Sequence, residues 1–159
     1  MQSRFWASVR GKRRRGSGDK EGRITEETAA LVHPHFVTDI LSDPVSGRMR
    51  AAEERGGLKR EARFTVQLPA SSADADAPVD ETIIVQGVID ACFLEDGAWV
   101  LLDYKTDRVP EEGGEEVLLA RYRAQLVYYA RALEQITGIP VREKLIWSCA
   151  LRKCITADA

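Results

Sequence analysis

Runs of apolar residues predict three successive β-strands in the middle of the chain. Residues 60–68 place Phe64, Val66 and Leu68 at alternate positions and stop at Pro69, which is the two-residue period of a half-buried strand. Residues 82–94 and 99–105 are almost continuously apolar and rich in Val, Ile and Leu. That pattern is typical of strands covered on both faces. The polar segment 71–80 predicts a flexible surface loop between the first two strands.

Helix signals precede these strands. Thr25, followed by two glutamates, predicts one helix start, and Pro34 should limit or kink that helix. Asp43-Pro44 predicts a second start, with the cap at Asp43 and proline at the first helical position. This second helix should run to about Arg55 and stop at Gly56-Gly57.

A long helix and a last strand follow. The loop 109–116 is rich in Gly and Glu, and residues 117–136 then repeat apolar side chains at helical spacing until Gly138 and Pro140. Residues 143–151 predict one closing strand. The order helix, three strands, helix, strand indicates an α/β fold with a mixed sheet flanked by helices. The predicted inward face of the long helix is Leu119, Tyr122, Leu126, Tyr129 and Leu133.

Composition changes this picture mainly through the distribution of charge. The 159 residues suit one domain, and the net charge is only −2. Six of the 23 basic residues precede Asp19, the first acid, so the rest of the chain carries 17 bases against 25 acids. Residues 1–23 therefore predict a disordered basic arm, which is either an unstructured tail or an electrostatic DNA contact. Elsewhere, nucleic-acid binding would need a local basic patch or a metal ion.

Several classes of protein are disfavoured. No apolar run reaches the ~20 residues of a membrane span, and no signal stretch follows Met1. Cys92, Cys149 and Cys154 form no Cys-x-x-Cys pair, which argues against a zinc ribbon, an iron–sulfur cluster and a disulfide framework. No phosphate-loop motif is present, so no ATP site is expected in this chain. A reducing cytoplasm is the simplest location.

Candidate chemistry comes from a hairpin. Asp96-Gly97 between two apolar runs is a strong two-residue hairpin signal. With those residues as the loop, Glu95 pairs with Ala98 and Asp90 lies opposite Asp103. Lys105 then shares their face, two residues beyond Asp103.

Two facing carboxylates on apolar strands repel each other unless a cation lies between them. Oxygen ligands favour Mg²⁺ or Mn²⁺, and the metal with Lys105 beside it would suit phosphodiester hydrolysis. The alternative is that both aspartates mark exposed strand ends and that Lys105 is only their ion-pair partner. His33 and His35 are expected to be surface or capping residues, since neither adjoins the aspartates in sequence.

The long helix adds two candidates. Gln125 and Tyr129 are four residues apart and stack on one face. A buried amide needs partners, so Gln125 is better explained by a site than by a core. Aimed at the strand ends, this pair would hold a DNA phosphate or the attacking water. Tyr122 and Tyr128 are interpreted as aromatics that pack on the sheet.

Three motifs occur in order: Gln86-Gly-Val-Ile-Asp90, then Asp103-Tyr-Lys-Thr-Asp-Arg108, then Gln125-Leu-Val-Tyr-Tyr129. Together they resemble the RecB-like nucleases of the PD-(D/E)xK superfamily. More narrowly, residues 24–154 are similar to the C-terminal nuclease domain of AddA helicase–nuclease subunits. The absence of a cysteine cluster separates the chain from the AddB and Cas4 branches.

The resemblance implies a restriction-endonuclease-like core and specific roles. Asp90 and Asp103 would bind Mg²⁺ with the backbone carbonyl of Tyr104, and Lys105 would be the catalytic lysine. Gln125 and Tyr129 match the Gln-x-x-x-Tyr motif of the family. It also implies DNA as the substrate, an AddB-type partner, and exonuclease action in double-strand break repair and recombination.

One departure bears on activity. The family carries an upstream Gly-Thr-x-x-His whose histidine completes the metal site, and neither histidine here has that context. We therefore expect a nuclease domain over residues 24–155 that is truncated on its N-terminal side, followed by a tail at 156–159. The alternative is a catalytically impaired fragment that acts only in DNA-end binding or subunit docking.

Overall fold

The computed structural model describes residues 34–72, 76–78 and 80–157, and these form a mixed α/β fold. A five-stranded sheet has helices packed against both of its faces. Among the described residues, none of the helices has the length and apolar character needed to cross a bilayer. The elements are α1 (Pro34–Ser42), α2 (Pro44–Glu54), β1 (Leu58–Pro69), β2 (Thr82–Glu95), β3 (Ala98–Lys105), α3 (Gly114–Thr137), β4 (Val141–Ser148) and β5 (Lys153–Thr156).

The strands lie in the sheet in chain order, β1-β2-β3-β4-β5. Neighbours are antiparallel except β3 and β4, which are parallel and joined by α3. A parallel pair needs such a crossover, because the chain must return to the end at which it began. This connection places α3 beside the last residues of β3.

The predicted closing strand over residues 143–151 is wrong at its end. Strand β4 stops at Ser148, a turn follows, and β5 pairs back against β4. The turn contains Arg152 with φ of 55°, a left-handed conformation for which arginine carries no sequence signal. Cys149-Ala-Leu151 also continues the apolar pattern, so the pattern alone could not show where the strand ends.

The helix boundaries follow the predicted caps. The Asp43 side chain accepts a hydrogen bond of 2.9 Å from the Val45 amide, and α2 ends at Glu54. Helix α3 begins three residues earlier than predicted and ends at Thr137, with Gly138 as the C-terminal cap at φ of 68°. The helix start predicted at Thr25 and the arm at residues 1–23 lie outside the described residues. Pro34 is the first residue of α1.

Strand β3 is covered on both faces, as predicted. Its odd-numbered apolar residues, Trp99 and Leu101, pack in the core against α3, whereas Val100 and Leu102 pack in the core against α2. For β2 the prediction holds only in the second half of the strand. In the first half the outer side is open, and Ile84 is 73% exposed.

At one point along β1 and β2, the alternation of side chains between the two faces of the sheet is reversed. The paired residues Leu58 and Phe93 lie on the α2 side, whereas the pair Ala62 and Ile89 lies on the α3 side. Two-residue alternation cannot produce this change without an irregularity. The irregularity is Glu61, with φ of 49°, and the pairing of the two strands omits Glu61 and Asp90. Asp90 therefore lies where the regular strand is interrupted.

Candidate active site

The hairpin that carries the first candidate residues forms as predicted. Asp96 and Gly97 have φ of 50° and 79°, the positive values that a two-residue type I′ turn requires. Glu95 pairs with Ala98, and the same register continues to Ala91 and Leu102. The ladder ends there, one step before Asp90 and Asp103.

Asp90 does not form the direct cross-strand pair with Asp103 that this register predicts. Its Oδ2 atom instead accepts a hydrogen bond of 3.0 Å from the backbone amide of Tyr104. A side-chain oxygen thus takes the place of the strand carbonyl, because β2 switches faces at this residue. Asp90 is nevertheless close enough that its charge contributes to raising the pKa of Asp103.

Asp103 is the buried carboxylate of the group, with 3% exposure. Lys105 shares its face, as predicted, and Lys105 Nζ lies 2.5 Å from Asp103 Oδ2. That oxygen is enclosed and has no hydrogen bond of normal geometry, so the contact with Lys105 is a charge pair. Burial raises the pKa of Asp103 and outweighs the opposing effect of Lys105. The negative charge of the buried Asp103 carboxylate is therefore only partly neutralised, and a bound cation would neutralise it further.

Helix α3 brings Gln125 to the same cluster. Lys105 Nζ donates a hydrogen bond of 3.2 Å to Gln125 Oε1. This contact gives the half-buried amide the partner that burial demands. Four candidates that are distant in sequence, Asp90, Asp103, Lys105 and Gln125, are therefore joined by contacts and charge interactions.

Tyr129 lies one turn further along α3, over the β1–β2 hairpin. Its ring meets Phe64 edge-on, with centroids 5.2 Å apart. Gly87 permits this packing, because a Cβ atom there would lie 3.0 Å from both rings. The structure thus places Tyr129 against the Gln86–Asp90 motif rather than against Lys105.

Tyr122 is closer to the site than its interpretation as a packing aromatic suggested. It does pack against the core on the α3 side, but Lys105 Nζ also lies 3.9 Å from the centroid of its ring. Its hydroxyl donates to Asp107, with both carboxylate oxygens at 2.8 Å. The sequence did carry a signal for this position near the site: Tyr122 precedes Gln125 by three residues and therefore shares its helix face.

The Tyr104 side chain lies on the opposite face of β3 from Asp103 and Lys105, toward α2. The residue is 37% exposed, and its hydroxyl contacts Met49 Sδ of α2 at 4.0 Å. Burial raises the pKa of this phenol. The role expected for its backbone carbonyl at a metal stays a prediction.

The donor set for a metal is small. Within the described ranges, no three His, Cys, Asp or Glu side chains are grouped closely enough to hold one ion. Asp90 and Asp103 alone suit Mg²⁺, which retains several waters and takes one or two protein carboxylates. The expectation for His33, and for the side chain of His35, lies outside the described residues. The three cysteines are free, and burial raises the pKa of Cys92 and of Cys154 to about 12.

Comparison with known proteins shows which proteins this chain resembles. No family model matches the chain. The AddA subunit of the ATP-dependent helicase/nuclease of Acetivibrio thermocellus is 37% identical over 128 residues, and that of Thermoanaerobacter sp. (strain X514) is 39% identical over 127. The corresponding protein of Clostridium novyi is 35% identical over 128 residues. Each match covers 78% of this chain and 10% of the relative.

The class to which these relatives belong is that of ATP-dependent helicase/nuclease subunits. In particular, this chain is homologous to one segment of the AddA subunits, which confirms that part of the predicted resemblance. The chain spans about one tenth of the length of these curated relatives.

Proposed function

We propose that this chain is a nuclease domain of the PD-(D/E)xK type that hydrolyses DNA phosphodiester bonds with Mg²⁺, or with Mn²⁺ in its place. One observation carries the proposal: the enclosed carboxylate of Asp103, paired in charge with Lys105 and close to Asp90 at an interruption of β2. Burying a carboxylate in this way costs stability, and such perturbed groups cluster at functional sites. The names of the relatives agree with a nuclease.

The donor set fits a hard cation. Asp90 and Asp103 would hold it, together with the carbonyl of Tyr104, with the Asp103 carboxylate buried and already paired in charge with Lys105. When bound, the metal supplies Lewis acidity toward a phosphoryl oxygen and lowers the pKa of a bound water.

The chain itself supplies orientation and charge. Lys105 carries an ammonium group held between Asp103 and Gln125, where it orients the attacking water or balances charge on the pentavalent phosphorus. Gln125 fixes the lysine side chain through its amide oxygen. Tyr129, which packs against Gly87 and Phe64 of β1 and β2, would contact a DNA phosphate on that side of the cluster.

We further propose the biological setting of the AddA proteins for this chain. In that setting the domain acts as an exonuclease on linear DNA ends in the cytoplasm, during double-strand break repair and recombination. Its partner is an AddB-type subunit. The homology to the AddA proteins supports this setting, over the one tenth of their length that the chain spans.

The test is cleavage of linear DNA by the purified full chain in Mg²⁺ or Mn²⁺. We expect Asp103→Asn to lower the cleavage rate at least about 100-fold, a loss of the size seen when one preorganised electrostatic contact is removed from an active site. Asp96→Asn is the matched control, since it makes the same chemical change in the exposed hairpin turn. Equal cleavage by the Asp103 variant and the wild type would refute the assignment.

A second candidate function is DNA-end binding or subunit docking without catalysis. It is favoured by the small donor set, because only two carboxylates meet at the cluster and no third metal-binding side chain joins them within the described residues. DNA binding in Ca²⁺ together with no cleavage in Mg²⁺ or Mn²⁺ would support this candidate. Metal-dependent turnover by the wild-type chain would exclude it.

A further inference from the structure

Lys105 is held on three sides, and only two of them belong to the motifs that the sequence resemblance assigns. Its Nζ atom contacts Asp103 Oδ2 at 2.5 Å and Gln125 Oε1 at 3.2 Å. The third side is the face of the Tyr122 ring, with the centroid 3.9 Å away. The lysine side chain is only 13% exposed, so little of the ammonium group is left to water.

A cation over the face of an aromatic ring is attracted by the negative charge of the π system. The attraction is stronger where water is largely excluded, as it is around Lys105. Because Tyr122 and Gln125 lie on adjacent turns of α3, the helix presents a ring face and an amide oxygen to the same atom.

The Tyr122 ring is itself fixed. Its hydroxyl donates to Asp107, with both carboxylate oxygens at 2.8 Å, and Arg121 makes an ion pair with the same carboxylate. The Tyr122 hydroxyl and Arg121 hold the pKa of Asp107 below its usual value, so Asp107 is ionised at neutral pH. A phenol that donates to a carboxylate has a more electron-rich ring, which strengthens the ring's attraction for a cation.

We propose that Tyr122 is a positioning residue for Lys105: its ring face, fixed by Asp107, holds the lysine ammonium beside Asp103. The loop after β3 supplies Asp107, β3 supplies Lys105 and α3 supplies Tyr122. Three elements thereby determine where the ammonium lies. The catalytic consequence rests on the proposed nuclease function, whereas the placement of Lys105 does not.

The placement is tested by NMR on the full chain with labelled lysine and no metal. A ring face shifts nearby protons upfield, so the ε-methylene protons of Lys105 should resonate upfield of those of the other lysines. Lys105→Arg identifies the signal by removing it. The shift should be smaller in Tyr122→Phe, which keeps the ring but loses the hydrogen bond to Asp107, and should disappear in Tyr122→Leu. Tyr128→Leu is the matched control on the same helix and should leave the shift unchanged.

The catalytic consequence is tested by single-turnover cleavage together with DNA affinity. We expect Tyr122→Leu to lower the cleavage rate constant about 3- to 30-fold with the DNA dissociation constant unchanged, the range that loss of a partly desolvated cation–π contact implies. Tyr122→Phe keeps the ring but loses its hydrogen bond to Asp107, so its rate should lie between those of the wild type and Tyr122→Leu. If the role of Tyr122 were only structural, Tyr122→Leu and Tyr128→Leu would lower the stability and the cleavage rate to the same extent.

The two proposals fail separately. An upfield shift that is absent in the wild type, or that survives in Tyr122→Leu, refutes the positioning role whatever the activity. Cleavage by the wild type with an unchanged rate in Tyr122→Leu refutes it as well and leaves the nuclease function standing. Absence of cleavage in any metal refutes the nuclease function, and the NMR result then decides the positioning role alone.

Discussion

At the scale of single residues, Asp90 has a structural task as well as a proposed chemical one. Its carboxylate accepts the Tyr104 amide, which otherwise lacks a partner on β2 because the β2–β3 ladder ends at Ala91 and Leu102. The hydrogen bond is exposed, so it contributes the modest net stability of a solvent-accessible hydrogen bond. The hydrogen bond needs only an acceptor oxygen, whereas a metal ligand needs the negative charge, so substitutions can separate the two tasks.

We therefore predict different outcomes for Asp90→Asn and Asp90→Ala. Asparagine keeps a side-chain acceptor for Tyr104, so the free energy of unfolding should stay within about 0.5 kcal/mol of the wild type. Alanine removes the acceptor and should cost about 0.5–1.5 kcal/mol, the net value of a hydrogen bond that water can partly replace. Both should lose DNA cleavage. Urea denaturation and a cleavage assay check this, and an active Asp90→Asn would contradict a metal-ligand role.

Gly87 provides a test of how Tyr129 is seated. Alanine at this position would bring Cβ to 3.0 Å from the Phe64 and Tyr129 rings, and Phe64 is buried and cannot yield. We expect Gly87→Ala to destabilise by about 1–3 kcal/mol through overpacking. Gly47→Ala is the control: it lies in α2 with open space around it and should stabilise by about 0.5–1 kcal/mol. Stability of Gly87→Ala at the wild-type level would contradict the close packing.

At the scale of elements, Arg48 joins α2 to two strands. Its Nη2 atom lies 2.7 Å from Glu95 Oε2 at the end of β2 and 2.5 Å from Glu143 Oε2 on β4. Its guanidinium also lies 5.4 Å from the Phe93 ring centroid. The side chain is partly shielded, at 29% exposure, so this contact is worth more than a fully exposed ion pair.

We predict that Arg48→Met lowers the free energy of unfolding by about 1–2 kcal/mol at pH 7, because it removes charged hydrogen bonds to two carboxylates. The hydrogen bonds from Arg48 hold the pKa of Glu95 below its usual value. The stabilisation is therefore present above the ordinary glutamate pKa of about 4.3 and is lost as the pH falls through the lower pKa of the folded state. Urea denaturation from pH 7 toward pH 3 should show the deficit shrinking, whereas a constant deficit would contradict this assignment.

Local patterns predicted most elements because the determining interactions are themselves local. The Asp43 cap, the Gly138 end of α3 and the Asp96-Gly97 turn each depend on residues that are close in sequence. Strand β5 was missed because its turn uses Arg152 in a left-handed conformation. The pairing of β5 with β4 supports that conformation, and such support has no local signature.

At the scale of the whole molecule, the site lies where three elements meet rather than within one motif. β2 supplies Asp90, β3 supplies Asp103 and Lys105, and α3 supplies Gln125. The exchange of faces at Glu61 and Asp90 turns β2 away from β3 and frees the aspartate side chain from the regular ladder. The sequence identified these residues, but the Lys105–Gln125 and Lys105–Tyr122 contacts depend on the crossover helix.

Metal binding gives a prediction for the intact fold. A ligand that binds only the folded state stabilises it by RT ln(1 + [L]/Kd), about 1.4 kcal/mol at ten times Kd. For a chain of this size that corresponds to an increase in Tm of roughly 3–6 °C. With two carboxylates as ligands, we expect this to require millimolar Mg²⁺. Thermal unfolding with and without metal checks it. Asp96→Asn should respond like the wild type, and an equal increase in Asp103→Asn would place the metal elsewhere.

The sequence by itself determined the order of the main elements, the register of the β2–β3 hairpin and the identity of the candidate residues. These follow from side-chain periodicity, capping and turn chemistry, which act over a few residues. The tertiary structure alone decided that β1 and β2 change faces together, that Asp90 binds the Tyr104 amide, and that the Tyr122 ring lies against Lys105. Each of these depends on long-range packing, in which a residue's partner is set by the sheet and the helix that cover it.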